Sequence, residues 1–308
     1  MIKRYWFISQ HLYQMRKLKQ MIIDIHTHAF PEKIAFSALE TLEGNAHIKA
    51  HTDGTMLGLM SSMDRAGIDL SVMVPVATDP SQVVKINDTS IRNNEKFFEG
   101  RDPHRRRIIS FGCMHPDFED FRTEIYRIYE RGIRGIKIHP AYQGCDIDDT
   151  KFLDIIYYAA SLDMVVLTHA GLDVGLPGVV HCSPEMCRNV WDRVGAFKFI
   201  LAHMGGWENW EEVPEFFADT GVYLDTSFSS EEMDVLPDGY WSEEDRKMMD
   251  AKGYMDIIEA LTPNRILFGS DSPWTDQEKS LAFIKKLPLS QEDIDRILYK
   301  NAEKLLGI

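Results

Sequence analysis

The stretch Ile22-Ile23-Asp24-Ile25-His26-Thr27-His28-Ala29-Phe30-Pro31-Glu32-Lys33 decides how the chain is read. It begins as a short apolar run rich in β-branched residues, the pattern of a buried strand. It does not end in the glycine-rich turn that usually follows the first strand of a doubly wound sheet. It ends in two histidines two residues apart. Side chains so spaced on a strand share a face, so both imidazoles leave it on the same side.

Outward from this run the same unit recurs. Further apolar runs lie at Leu70–Val76, Ile108–Cys113, Ile133–Ile138, Met164–Leu167, Phe197–Ala202, Val222–Leu224 and Arg265–Phe268, which makes eight with the first. Helical spacing predicts helices over Thr55–Ala66, Gln82–Phe98, Glu119–Arg131, Asp149–Ser161, Pro184–Val194, Glu208–Asp219 and Lys252–Leu261. A closing pair covers Gln277–Lys286 and Gln291–Leu306, with Ser290 and Asp293 as a capping box. Strand and helix alternating eight times over residues 21–308 predict one α/β domain, a (β/α)8 TIM barrel with parallel strands. Two segments are too long for simple loops: Phe30–Gly54 after strand 1 and Ser227–Ala251 after strand 7. The second is acidic, carries Phe228, Tyr240 and Trp241, and reads as a lid or an oligomer contact.

The 308 residues hold 34 Lys+Arg against 48 Asp+Glu, a net charge of -14. Such a chain repels nucleic acid and anionic lipid, so neither is expected as a partner. It has no apolar run of the roughly 18 residues that a membrane helix needs. Four irregularly spaced cysteines read as reduced thiols in the cytoplasm, and the spacing of Cys182 and Cys187 fits no standard metal pattern. Residues 1–20 carry Lys3, Arg4, Arg16, Lys17 and Lys19 and no acid, leaving -19 on the remainder. They read as an N-terminal extension, frayed or due to an upstream start codon, with the folded domain beginning at Met21.

In a barrel the chemistry sits at the C-terminal ends of the strands. Five of the eleven histidines fall there: His26 and His28, His139, His169 and His203. Lys137 precedes His139, and Asp271 closes the last run. Two imidazoles on one face can bind one ion; His169 can add a third nitrogen and Asp271 a carboxylate, leaving a position for water. Tyr142, Gln143, Trp207 and Trp274 lie just past strand ends and could line a pocket.

The motifs IIDIHTHAFPEKIA, RGIKIHPAYQG, LTHAGLDVG, ILAHMGGW, VYLDTS, ILFGSDSPW and NAEKLLGI, in that order, resemble the amidohydrolase superfamily. The resemblance is to amidohydrolase family 2, the decarboxylase-like metal-dependent hydrolases, and it covers residues 21–308. It implies an enzyme with a mononuclear divalent metal, zinc or else manganese, held by His26, His28, His169 and Asp271, with His203 beside a metal-bound water. Hydrolysis of a lactone, amide or related small carboxylated compound is the first expectation, with Asp271 as the base. Non-oxidative decarboxylation of an aromatic or enoic acid is the alternative, and there His203 does more of the proton work. Lys137 is read as a substrate-binding cation, as a carbamylated ligand bridging two metals, or as the partner of an interior acid. His139 is a substrate contact or an orienting group, and Tyr142 and Trp274 are substrate-binding candidates. A phosphoesterase of related opening pattern should show a histidine after Asp271, where Ser272-Pro273-Trp274 stands. The partner expected is a small molecule, and a homo-oligomer is compatible with the sequence.

Overall fold

The structure is a computed structural model that describes residues 21–99, 107–230 and 232–308; the extension proposed at residues 1–20 lies outside them. Strands β1 (Ile23–Thr27), β2 (Leu70–Met73), β3 (Arg107–Ser110, continued as Gly112–Cys113), β4 (Gly135–Ile138), β5 (Val165–Thr168), β6 (Phe199–Leu201), β7 (Tyr223–Asp225) and β8 (Ile266–Leu267) are all parallel. The first half of β3 pairs with β2 and the second with β4, so one stave belongs to both sheets. The last strand returns to the first, where Ile25 N donates to Phe268 O at 2.9 Å and Asp271 N donates to His26 O at 2.8 Å. The result is the expected (β/α)8 barrel.

Alternation along the strands builds two apolar layers. Ile23, Ile25, Leu70, Val72, Phe111, Val165, Leu167, Ile200 and Leu267 form one cluster, closed at its base by Ala302, Leu305 and Leu306. The alternate residues, among them Ile136, Ile138, Val166, Leu201, Leu224 and Ile266, pack outward against the helices. Gly135 makes the inner layer fit, since a Cβ there would stand 2.6 Å from the Phe111 ring.

Most predicted helices form, several with the caps their sequences offer. Thr55 accepts from Gly58 N, Ser183 from Met186 N and Ser290 from Asp293 N. Two differ from expectation. Glu208–Asp219 holds only a 3-10 turn, Trp210–Glu212, and a short helix, Val213–Phe217, because Pro214 restricts the chain to a fresh helical start. The closing helix is interrupted by a π segment at Arg296–Lys300.

Asp24 ties β1 to the chain beyond β8. It accepts from His26 N, Ser270 N, Ser270 Oγ (2.6 Å) and Gln277 Nε2 (2.7 Å), all buried. Asp24→Ala strands these donors, so a loss of roughly 3 kcal/mol is expected in urea unfolding. A loss below about 1 kcal/mol would show that water replaces the carboxylate.

The two insertions pack on each other. The first contains a helix, Glu32–Ala46. Lys49 N donates to Asp234 O, Leu236 N to His47 O and Trp241 Nε1 to Ala46 O. His47 pairs with Asp238 at 2.7 Å and His51 with Asp234 at 3.0 Å. Beneath lie Ala46, Ile48, Trp207, Phe228 and Met233, with Trp241 and Trp274 packed alongside. The second insertion is thus docked on its own chain, and two of its acids, Asp234 and Asp238, pair with histidines of the first.

Candidate active site

His26 ends β1, where a register shift between Asp24 and Thr27 marks a bulge, a device that re-aims side chains. Lys137 lies on β4, and His139, His169, His203 and Asp271 follow the ends of β4, β5, β6 and β8. His203 (φ 58°) and Asp271 (φ 63°) both hold left-handed backbone conformations. Non-glycine residues adopt that region at a cost, which is often met at functional sites.

Hydrogen bonds fix which nitrogen of each imidazole is free. His26 Nδ1 donates to Asp225 Oδ2 at 2.9 Å, so its Nε2 keeps a lone pair. His203 Nδ1 donates to Ser227 O at 3.0 Å, and His169 Nε2 to Leu172 O at 3.2 Å. The lone pairs then meet one another. His26 Nε2 stands 3.1 Å from His28 Nε2, and Asp271 Oδ1 stands 3.0 Å from His28 Nε2 and 3.5 Å from His26 Nε2. Asp271 Oδ1 is buried without an aligned hydrogen-bond donor among the described residues. Donors about 2.1 Å from a shared ion, at 90–110° to each other, stand roughly 3.0–3.4 Å apart. His26, His28 and Asp271 therefore fit a divalent cation.

The sequence expected His169 as a fourth ligand. The structure groups the other three and places His169 Nδ1 3.0 Å from His203 Nε2, two lone pairs facing each other. His26 and His203 lie with ring centroids 5.5 Å apart. A second set of metal-capable residues, His139, His169 and Asp173, is buried beside them. There the tautomers oppose an ion. His139 Nδ1 accepts from Tyr142 N at 3.4 Å, which puts the Nε2 proton toward Asp173 Oδ2 at 3.4 Å. This set is a hydrogen-bonded wall, with the His139 ring stacked on His169 at 4.4 Å.

The electrostatics follow from burial. Desolvation drives His26 down to about 4, aided by Lys137, and lowers His203 as well. Burial alone would raise Asp271, yet His26, His28 and His203 hold its carboxyl far below the usual range. Lys137 is 1% exposed and pushed down to about 8 by burial, against the pull of Asp225 and Asp271. Its Nζ lies 3.4 Å from His26 Nε2, and it makes no ion pair among the described residues. Trp274 is half-buried, with its amide donating to Asp271 O at 2.8 Å. Tyr142 is half-buried with its ring edge on His139.

Sequence reading passed over Asp225 and Ser227. Besides His26, Asp225 accepts from His203 N (3.1 Å), Ser227 N (3.0 Å) and, very closely, the Ser227 hydroxyl. Both lie in the motif VYLDTS quoted for the resemblance, where their hydrogen bonding could not be read. Asp225→Asn would face His26 Nδ1 with an amide N–H and so reverse the tautomer that frees Nε2. Metal affinity should fall about 10- to 100-fold in competition with a chelator; unchanged affinity would show that Asp225 does not orient His26.

Residues 23–308 match the family model described as amidohydrolase, and the chain belongs to that family. No curated protein matches it in sequence. Among solved structures, an uncharacterized TIM-barrel protein from Bordetella bronchiseptica superposes with a TM-score of 0.71 at 16% identity, covering 93% of this chain and 98% of that one. The 5-carboxyvanillate decarboxylase of Novosphingobium aromaticivorans, complexed with manganese, gives 0.67 at 16% identity over 94% and 96%. The 2,6-dihydroxybenzoate decarboxylase from Rhizobium gives 0.62 at 15% over 94% and 99%. At these identities the likeness is one of fold. The protein is an enzyme of the amidohydrolase family. Among the described residues no helix is long and apolar enough to cross a membrane.

Proposed function

We propose that the protein is a metal-dependent decarboxylase of a small aromatic or enoic carboxylic acid. Lys137 carries the reading: a buried cation, with no ion pair among the described residues, beside the imidazoles and Asp271. Such a cation calls for an anion brought by the substrate, and the carboxylate is the group this reaction removes. The decarboxylase names of several similar structures support it. The sequence put hydrolysis first, with Asp271 as base. Asp271 would be engaged by the ion together with His26 and His28, whereas His203 lies outside that group with its Nε2 unprotonated.

A divalent ion, zinc or manganese, held by His26, His28 and Asp271 with His169 beside them, would supply Lewis-acid charge to a substrate oxygen. Lys137 holds the carboxylate as an uncarbamylated ammonium. The C–C bond to the carboxylate breaks, its electron pair stays on carbon and CO2 leaves. His203 Nε2 delivers to that carbon a proton taken from solvent. Ser227 keeps the His203 ring oriented for this task, and Asp225 holds the His203 backbone amide.

Manganese-loaded protein given a panel of aromatic and enoic acids in D2O should release CO2 and leave one deuterium at the vacated carbon. Metal analysis should find about one ion per chain. Opening of a lactone or amide without CO2 would make the enzyme a hydrolase, and activity indifferent to chelators would remove the metal from the reaction. An intact mass raised by one CO2 would mark Lys137 as a carbamate.

A further inference from the structure

We propose that Cys182 and Cys187 are a redox modification site, a dithiol that a hydroperoxide closes to an intramolecular disulfide. Their sulfurs stand 3.4 Å apart, both thiols are free, and the residues are 1% and 0% exposed. The helix Pro184–Val194 explains why they meet. Its N-cap is Ser183, which accepts from Met186 N. Cys182 therefore stands just before the cap and Cys187 one turn into the helix. Side chains at those two positions pack on each other as a hydrophobic staple. Two apolar side chains would serve that packing equally well; two sulfurs can also bond. A disulfide holds its sulfurs about 2.0 Å apart, so the pair has roughly 1.4 Å to close, within reach of two side-chain rotations. Neither cysteine belongs to a metal-capable group among the described residues.

The reaction balances on these two residues. Burial, with Cys182 alongside, pushes the Cys187 thiol well up, so Cys187 keeps its proton and Cys182 attacks first. The Cys182 sulfur takes one oxygen of hydrogen peroxide, the O–O bond breaks, and the other oxygen leaves as water with the thiol proton. The Cys187 sulfur then displaces hydroxide from the resulting sulfenic acid, and its own proton leaves with that hydroxide as a second water. Two thiols lose two electrons and one peroxide gains them. Access comes through the loop after β5. The Cys182 carbonyl accepts from Gly171 N at 2.7 Å, which joins the ends of residues 172–181. That stretch holds no helix and no strand, only an isolated bridge of Asp173 to Leu176, and its Val179 is 60% exposed. Loops of this kind open far more often than the whole fold. Oxidation therefore proceeds slowly from the folded protein. The new bond ties to the helix the loop whose Leu172 carbonyl accepts from His169.

The test uses the full chain carrying Cys145→Ser, which removes the half-buried thiol and leaves three. The reduced protein, freed of reductant, stands overnight in millimolar hydrogen peroxide without denaturant. Alkylation after unfolding should then find two thiols fewer. Glu185 lies between the two cysteines, so cleavage after it should leave two peptides joined by a bond that dithiothreitol breaks. The oxidised protein should melt about 2–5 °C higher and return to the starting value on reduction. In Cys187→Ser the same treatment should not raise melting. Oxygen added to either sulfur without a link, a link to Cys113, or a pair that stays reduced until the protein unfolds would each overturn the proposal. A joined pair with unchanged melting would overturn the tie to the loop.

Discussion

Lys137→Met should nearly abolish decarboxylation and leave the protein at least as stable as before. The two effects have one cause. A buried ammonium without an acid partner is held at a desolvation cost, visible in its lowering to about 8. Methionine fills similar volume without that cost, so stability should be unchanged or higher by about 1–4 kcal/mol. The substrate carboxylate meanwhile loses its cation, a loss of about 2–5 kcal/mol that lowers kcat/KM roughly 30- to 5,000-fold. The comparison also has a pH signature. Because Lys137 gives up its proton more readily folded than unfolded, the unfolded chain binds more protons between about pH 8 and 10.5, and stability rises with pH across that window. The parent should show this rise relative to Lys137→Met in paired unfolding curves. Near-normal turnover in the variant would return Lys137 to a packing role.

His203→Asn and Asp271→Asn should both lose turnover but separate on metal content. His203 moves the proton in the proposed reaction, and removing such a group costs about 10²- to 10⁴-fold in kcat. His203 lies outside the His26–His28–Asp271 group, so the variant should still hold about one ion per chain. Asp271→Asn removes the charged member of that group and should lose both ion and activity. Full activity in His203→Asn would give the proton work to another group. A metal-replete Asp271→Asn with near-normal kcat would leave the ion to the histidines.

The barrel was legible because its rule is local: each strand needs only a short apolar run and each helix a periodic face. The strand-end positions of His26, His28, His139, His169, His203 and Asp271 were legible for the same reason. Asp225 and Asp173 were not. Their significance comes from what the fold sets against them, His26 from β1 for Asp225 and His139 from beyond β4 for Asp173. No spacing in one sequence announces such a pairing. Pro214 shows the opposite failure, since helical periodicity suggested a continuous helix where the ring starts a new turn.

The docking of the two insertions bears on how the enzyme is made. Trp241 and the Ala46 carbonyl it grips are 195 residues apart, and Asp271 emerges later still. At about 5–20 residues per second, the first insertion waits roughly 10–40 s for its counterpart. Until then Ala46 and Ile48 lack the surface that covers them, and His26 and His28 lack the carboxylate that completes their group. A divalent ion held by these three residues would therefore be taken up only as biosynthesis closes, from what surrounds the nearly finished chain.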